Sequence, residues 1–95
     1  MTNTEFLVVF SYDITRDANR RRVAESLELH ATRVQFSVFE GRMSLAKARR
    51  LLASLDRERM EGDSIRMYVL TEQGRARSLA RGGAPIPEQS EFWLL

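Results

Sequence analysis

Between Phe6 and Tyr12 the chain reads FLVVFSY. This β-branched and aromatic run is too short for a free-standing helix and predicts a strand. Alternation places Phe6, Val8, Phe10 and Tyr12 on one face, and Leu7, Val9, Ser11 and Asp13 on the other. Both faces are apolar for most of the run, which predicts a central strand covered on both sides. Val23, Ala24 and Leu27 then recur at helical spacing. They predict a helix through about Leu29, with Thr15 or Asp17 as its N-cap.

Residues 32–41, TRVQFSVFEG, are strongly β-prone and read either as one long strand or as two short ones. Gly41 is expected to mark their end. Ser44 is placed to cap a second helix reaching about Met60, with Leu45, Ala48, Leu51, Leu52 and Leu55 as its buried stripe. Gly62 is the expected C-terminal cap of that helix. The run SIRMYVL, Ser64 to Leu70, predicts another strand, with Ile65, Met67 and Val69 on one face. Beyond Leu70 the composition changes. Gly74, Gly82, Gly83, Pro85 and Pro87 punctuate the segment, which reads mostly as loop. Phe92 to Leu95 form an apolar tip, expected to dock as a strand.

The predicted order is strand, helix, strand or strands, helix, strand. It matches the α+β, ferredoxin-like βαββαβ arrangement: an antiparallel sheet with two helices on one face. The division expected is a domain over residues 1–72, followed by a C-terminal loop and docking strand over 73–95. Two helices leave the second sheet face, with Leu7 and Val9, uncovered. Either a two-fold partner covers it, giving a homodimer, or the C-terminal segment folds back over it.

Composition narrows the function classes. At 95 residues, with 43% hydrophobic and 29% charged positions, one soluble globular domain is expected. There is no Cys, so disulfides and thiolate metal sites are excluded. A single His and no Cys leave no basis for zinc, and His30 with Ser37 has no triad spacing. The first ten residues lack a signal-peptide pattern. No apolar run approaches the ~20 residues of a membrane span, so a cytoplasmic protein without a membrane partner is expected.

The net charge is only +2, but 14 of the 15 basic residues are Arg, the exception being Lys47. Arg presents a planar donor fork suited to phosphate; a GC-rich genome would produce the same bias. Arg20, Arg21 and Arg22 crowd the start of the first helix, where positive charge opposes the helix dipole. They read either as a phosphate-binding group, joined by Arg33 and Arg16, or as a solvated face paired with Asp17, Glu25 and Glu28. Asp13 reads either as a cap for the turn that follows or as an oxygen ligand for a divalent cation. In the second case a two-fold axis near the strand end would bring two copies of Asp13 together.

The blocks VVFSYDIT, RRRVAESLE, TRVQFSVFEG and DSIRMYVL, in this order and spacing, resemble the small CRISPR-associated Cas-two proteins over residues 6–70. The resemblance implies a ferredoxin-like homodimer in which TRVQFSVFEG is a tight hairpin. It also implies a C-terminal strand that pairs with the partner protomer. Members bind double-stranded DNA in the CRISPR adaptation complex, beside the Cas-one integrase. Some are described as metal-dependent endonucleases acting on RNA, including single-stranded RNA, or on DNA.

Carried over by position, Asp13 is the metal-binding aspartate, for Mg²⁺ or Mn²⁺, and Tyr12 is its neighbour. Arg20, Arg22, Arg33 and Phe39 match positions linked to nuclease function. The chain departs from the family at His30-Ala31, where Gly is common. Three functions follow: an adaptation scaffold, a Mg²⁺-dependent phosphodiesterase, and the alternative of a VapD-like toxin ribonuclease of the same fold.

Overall fold

The computed structural model describes residues 4–88. A four-stranded antiparallel sheet is built from β1 (Glu5–Asp13), β2 (Thr32–Gln35), β3 (Val38–Ser44) and β4 (Ser64–Leu70), in the order β2-β3-β1-β4. Helices α1 (Asp17–Glu28) and α2 (Leu45–Leu55) cover one face, and a short α3 (Glu72–Arg77) follows β4. This is the expected ferredoxin-like arrangement. The run TRVQFSVFEG forms two strands joined by a tight turn at Phe36-Ser37.

β1 is central because it is apolar on both sides. It pairs with β3 from Glu5↔Ser44 to Ser11↔Val38 and with β4 from Leu7↔Leu70 to Asp13↔Ser64. Val8, Phe10 and Tyr12 enter the main core, where they meet Val23, Ala24 and Leu27 of α1 and Ala48, Leu51 and Leu55 of α2. Ile65 and Met67 of β4 pack against the same core. Burial of such side chains is worth roughly 1.5–3 kcal/mol each, so this face supplies most of the fold's stability.

Several local expectations are corrected. The N-cap of α1 is Arg16, without a side-chain cap, rather than Thr15 or Asp17. The side chain of Asp17 instead meets Arg20. Helix α2 does begin at a Ser44 cap, whose hydroxyl accepts from the Lys47 amide at 3.2 Å. It ends at Leu55, however, and the chain tightens into a 3-10 turn at Asp56–Glu58. Gly62 therefore caps no helix; at φ 87° it makes the turn into β4.

Gly41 lies inside β3 and ends nothing. A Cβ there would stand 2.8 Å from the His30 carbonyl oxygen and 3.0 Å from the Ala31 Cβ. The turn leaving α1, closed by His30 and Ala31 amides on the Leu27 carbonyl at 3.0 and 2.9 Å, crosses directly over that glycine.

Helix α3 was not expected. Thr71 caps it, accepting from the Gly74 amide at 3.0 Å. Its Glu72 reaches Arg42 at 3.1 Å, and Arg42 stands opposite Leu7 in the β1–β3 register. Leu7 is 2% exposed, although it points away from the main core. The second sheet face is therefore partly covered at Leu7 by the chain's own segment after β4, the second of the two coverings expected. Tyr68, on that same face opposite Val9, remains 49% exposed. The expected docking strand, Phe92 to Leu95, lies outside the described residues.

Candidate functional site

The β-strand alternation separates two residues adjacent in sequence. Tyr12 turns into the core face and is 4% exposed, while Asp13 turns the other way and is exposed. The Tyr12 ring stacks on Phe39 of β3, with centroids 6.3 Å apart and planes inclined by 27°. Its hydroxyl donates to the Phe36 carbonyl at 3.4 Å. Burial raises the Tyr12 phenol above its ordinary value, against the opposing pull of the Arg33 and Arg20 cations. Tyr12 is therefore a neutral donor at physiological pH and offers no phenolate.

Arg33 of β2 completes this cluster. Its Nε and Nη2 donate to the same Phe36 carbonyl at 3.0 and 2.7 Å. Its guanidinium carbon lies 5.4 Å from the Phe39 centroid and 5.3 Å from that of Phe36, within cation–π reach. Arg20 of α1 approaches Phe36 from the helix side at 5.7 Å. It also donates to the Ile14 and Thr15 carbonyls at 2.9 and 3.3 Å, which ties α1 to the end of β1.

Of the candidate residues, the structure brings together Tyr12, Arg20, Arg33 and Phe39. Arg22, two residues on from Arg20 in α1, is turned away because successive helical residues are rotated by about 100°. Arg22 faces Glu58 at 2.8 Å and Asn19 at 2.9 Å. Arg16 and Arg21 are exposed and have no carboxylate partner among the described residues. A groove of about 450 Å³ runs beside this cluster, lined by Arg20, Arg21, Glu25, Glu28, Arg33 and Phe36 among others.

Asp13 is the last residue of β1, paired with Ser64. One exposed carboxylate at an open strand end is a suitable oxygen donor for Mg²⁺, but Mg²⁺ uses one or two carboxylates with water and phosphate oxygens. Among the described residues no group of three or more His, Asp or Glu converges.

Three contributors escaped sequence reasoning. Asp63, 8% exposed, accepts from the Thr15 amide at 3.1 Å and from the Met60 amide at 3.0 Å. These bonds hold its carboxyl below the ordinary range, the Met60 amide contributing most. Asp63 thereby clips the loop after Asp13 to the turn before β4. Asn19, 7% exposed, donates to the Glu58 carbonyl at 2.8 Å and fixes α1 to the 3-10 turn after α2. Phe36 joins the aromatic cluster from the hairpin tip. Neither polar residue carries a sequence signal beyond its type; each is defined by contacts distant along the chain.

The ferredoxin-like topology, with an aromatic–arginine cluster beside an exposed strand-end aspartate, defines a class of small α+β domains. Residues 6–78 match the family described as CRISPR associated protein Cas2, and the chain belongs to that family. A Synechocystis protein named CRISPR-associated endoribonuclease Cas2 3 is 42% identical over 67 residues, which are 70% of this chain and 73% of that protein. A Chloroflexus aurantiacus protein named CRISPR-associated endoribonuclease Cas2 1 is 38% identical over 85 residues, covering 87% and 91% of the two chains. A chain of a solved partial Cas6-RT-Cas1–Cas2 complex superposes with a TM-score of 0.73 at 25% identity, covering 95% of this chain and 99% of that one. No helix among the described residues is long and apolar enough to cross a membrane.

Proposed function

We propose that this chain is the duplex-binding subunit of a CRISPR adaptation complex, acting as a homodimer together with the Cas1 integrase. The observation that carries the binding role is the division of labour among the arginines. Arg20, Arg22 and Arg33 are engaged within the fold, whereas Arg16 and Arg21 stand exposed without a carboxylate partner among the described residues. Free guanidinium groups beside a helix start suit phosphate contacts, which position a duplex without reading its sequence. The similar solved chain in a Cas1–Cas2 complex supports the integrase as partner. The half-buried Val9 and exposed Tyr68 on the second sheet face support a second copy there.

The test is duplex DNA binding by anisotropy across a salt series. Wild type is expected to lose affinity steeply as salt rises, and Arg21→Ala to flatten the log–log slope by roughly one for each copy of Arg21 on the duplex. Asp13→Ala is expected to bind like wild type. Absence of duplex binding at low salt overturns the reading.

A second reading is a metal-dependent endonuclease, supported by the exposed position of Asp13 and by the relatives' designation as endoribonucleases. Asp13 from each of two protomers would hold Mg²⁺ or Mn²⁺ through carboxylate oxygens. The ion would supply Lewis acidity at phosphate and a more acidic bound water. Cleavage of single-stranded RNA that requires Mg²⁺ and vanishes in Asp13→Asn supports this reading; activity surviving that substitution sinks it. The family match over residues 6–78 favours both readings over a VapD-like toxin.

A further inference from the structure

We infer that Phe36 is a stacking platform for an unpaired base of single-stranded nucleic acid. This inference rests on the nucleic-acid reading above and adds to it a second mode of contact, distinct from the grip on duplex phosphates.

The observation is a large aromatic side chain that is both exposed and held. Phe36 is 69% exposed at the tip of the β2–β3 hairpin. Its carbonyl nevertheless accepts from three donors: Arg33 Nε, Arg33 Nη2 and the Tyr12 hydroxyl. The next residue is fixed as well, because the Ser37 carbonyl accepts from the Tyr12 amide at 3.2 Å. Two guanidinium groups, from Arg33 and Arg20, lie against its ring at 5.3 and 5.7 Å. The ring is thus the outermost member of a series of contacts, Tyr12 to Phe39 to Arg33 to Phe36, that runs from the core to the surface. Fixing it beforehand lowers the entropic cost of covering it.

The chemistry of such a series identifies its next member. A planar π-system covers an aromatic face fully, and every base offers one. Arginine planes beside the ring favour the same partner. The adjoining groove indicates how much of a strand can follow. Arg21 is available to a flanking phosphate, but Glu25 and Glu28 line the groove as well. Those carboxylates repel a backbone laid along its whole length, so contact is confined to the rim near Phe36. Bases within a duplex already stack on one another and cannot cover Phe36. An unpaired base can.

The experiment compares the full chain and two variants, Phe36→Leu and Phe36→Trp, by anisotropy. The probes are a labelled oligothymidine, the same strand with abasic sites, and a duplex. Phe36→Leu is expected to weaken single-strand binding roughly tenfold, while Phe36→Trp restores it and the duplex affinity stays as in wild type. The abasic strand is expected to bind wild type as weakly as oligothymidine binds Phe36→Leu. Single-strand affinity unchanged in Phe36→Leu, with duplex binding intact, overturns the inference and leaves the duplex reading standing. A shift in the sedimentation of Phe36→Leu without nucleic acid overturns it in favour of a protein contact. If wild type binds neither strand nor duplex, the nucleic-acid reading itself fails first.

Discussion

Tyr12 and Asp13 are joined by one peptide bond and act on opposite faces of the sheet. Tyr12 is sealed against Phe39, while Asp13 stands open at the end of β1. Their substitutions should therefore report different things. Tyr12→Ala removes a core aromatic and is expected to cost ~3–5 kcal/mol of stability. Asp13→Ala is expected to stay within about 0.5 kcal/mol of wild type. Urea unfolding of both variants checks this, and a strong loss for Asp13→Ala would mean that the carboxylate supports the fold.

Asp63 makes stability depend on pH. Its folded-state carboxyl is held below the ordinary value of 3.8 by the Met60 and Thr15 amides. The ionised form is the one those amides favour, so the contribution is complete above the ordinary value. It is lost as pH falls from there through the lowered folded value. Wild type and Asp63→Asn should accordingly differ in thermal midpoint at neutral pH and converge in strong acid. A constant gap across pH would show that the charge is not the source.

Gly41 is required by a close approach. A Cβ would meet the His30 backbone oxygen at 2.8 Å, and backbone there cannot rotate away as a side chain end could. Gly41→Ala is expected to destabilise by ~1–3 kcal/mol, measured by denaturant midpoint. A neutral result would require the turn after α1 to shift.

Arg42 carries a test of a different kind. Its side chain is 8% exposed, and its Nε and Nη1 are buried without an acceptor among the described residues. Only Nη2 is engaged, with the Glu5 carbonyl and Glu72. Unmet donors carry a desolvation cost, and an apolar replacement of similar length relieves it. Arg42→Met is expected to cost less than about 1 kcal/mol, against a larger loss for the cavity-forming Arg42→Ala. Differential scanning calorimetry distinguishes the two.

The residues that alternate or recur cleanly were the ones that sequence could place. β4 is bounded at Ser64 and Leu70 as its pattern implies, and Ser44 caps α2 because a hydroxyl there meets an open amide. The end of α2 was hidden because Asp56, Arg57, Glu58 and Arg59 are all compatible with helix. The 3-10 turn that replaces its last turn is anchored from elsewhere in the chain: Asn19 of α1 donates to the Glu58 carbonyl. Helix α3 was hidden by Gly74, which argues for loop, although Thr71 three residues earlier is its cap. Within the site, the arginines were visible as a group, but their separation was not. Which of them the fold consumes depends on Glu58, Phe36 and the Ile14 carbonyl, all set by packing.

Ser44 closes β3 and opens α2 with no residue between them. The junction has no slack to absorb a change in length. One inserted residue would turn the helix by about 100° and carry Ala48, Leu51 and Leu55 off the sheet they cover. Insertions and deletions should therefore be rejected at this joint. The spacing from Gly41 to Leu55 acts as a ruler, and its length matters to the protein as much as the identity of the residues along it.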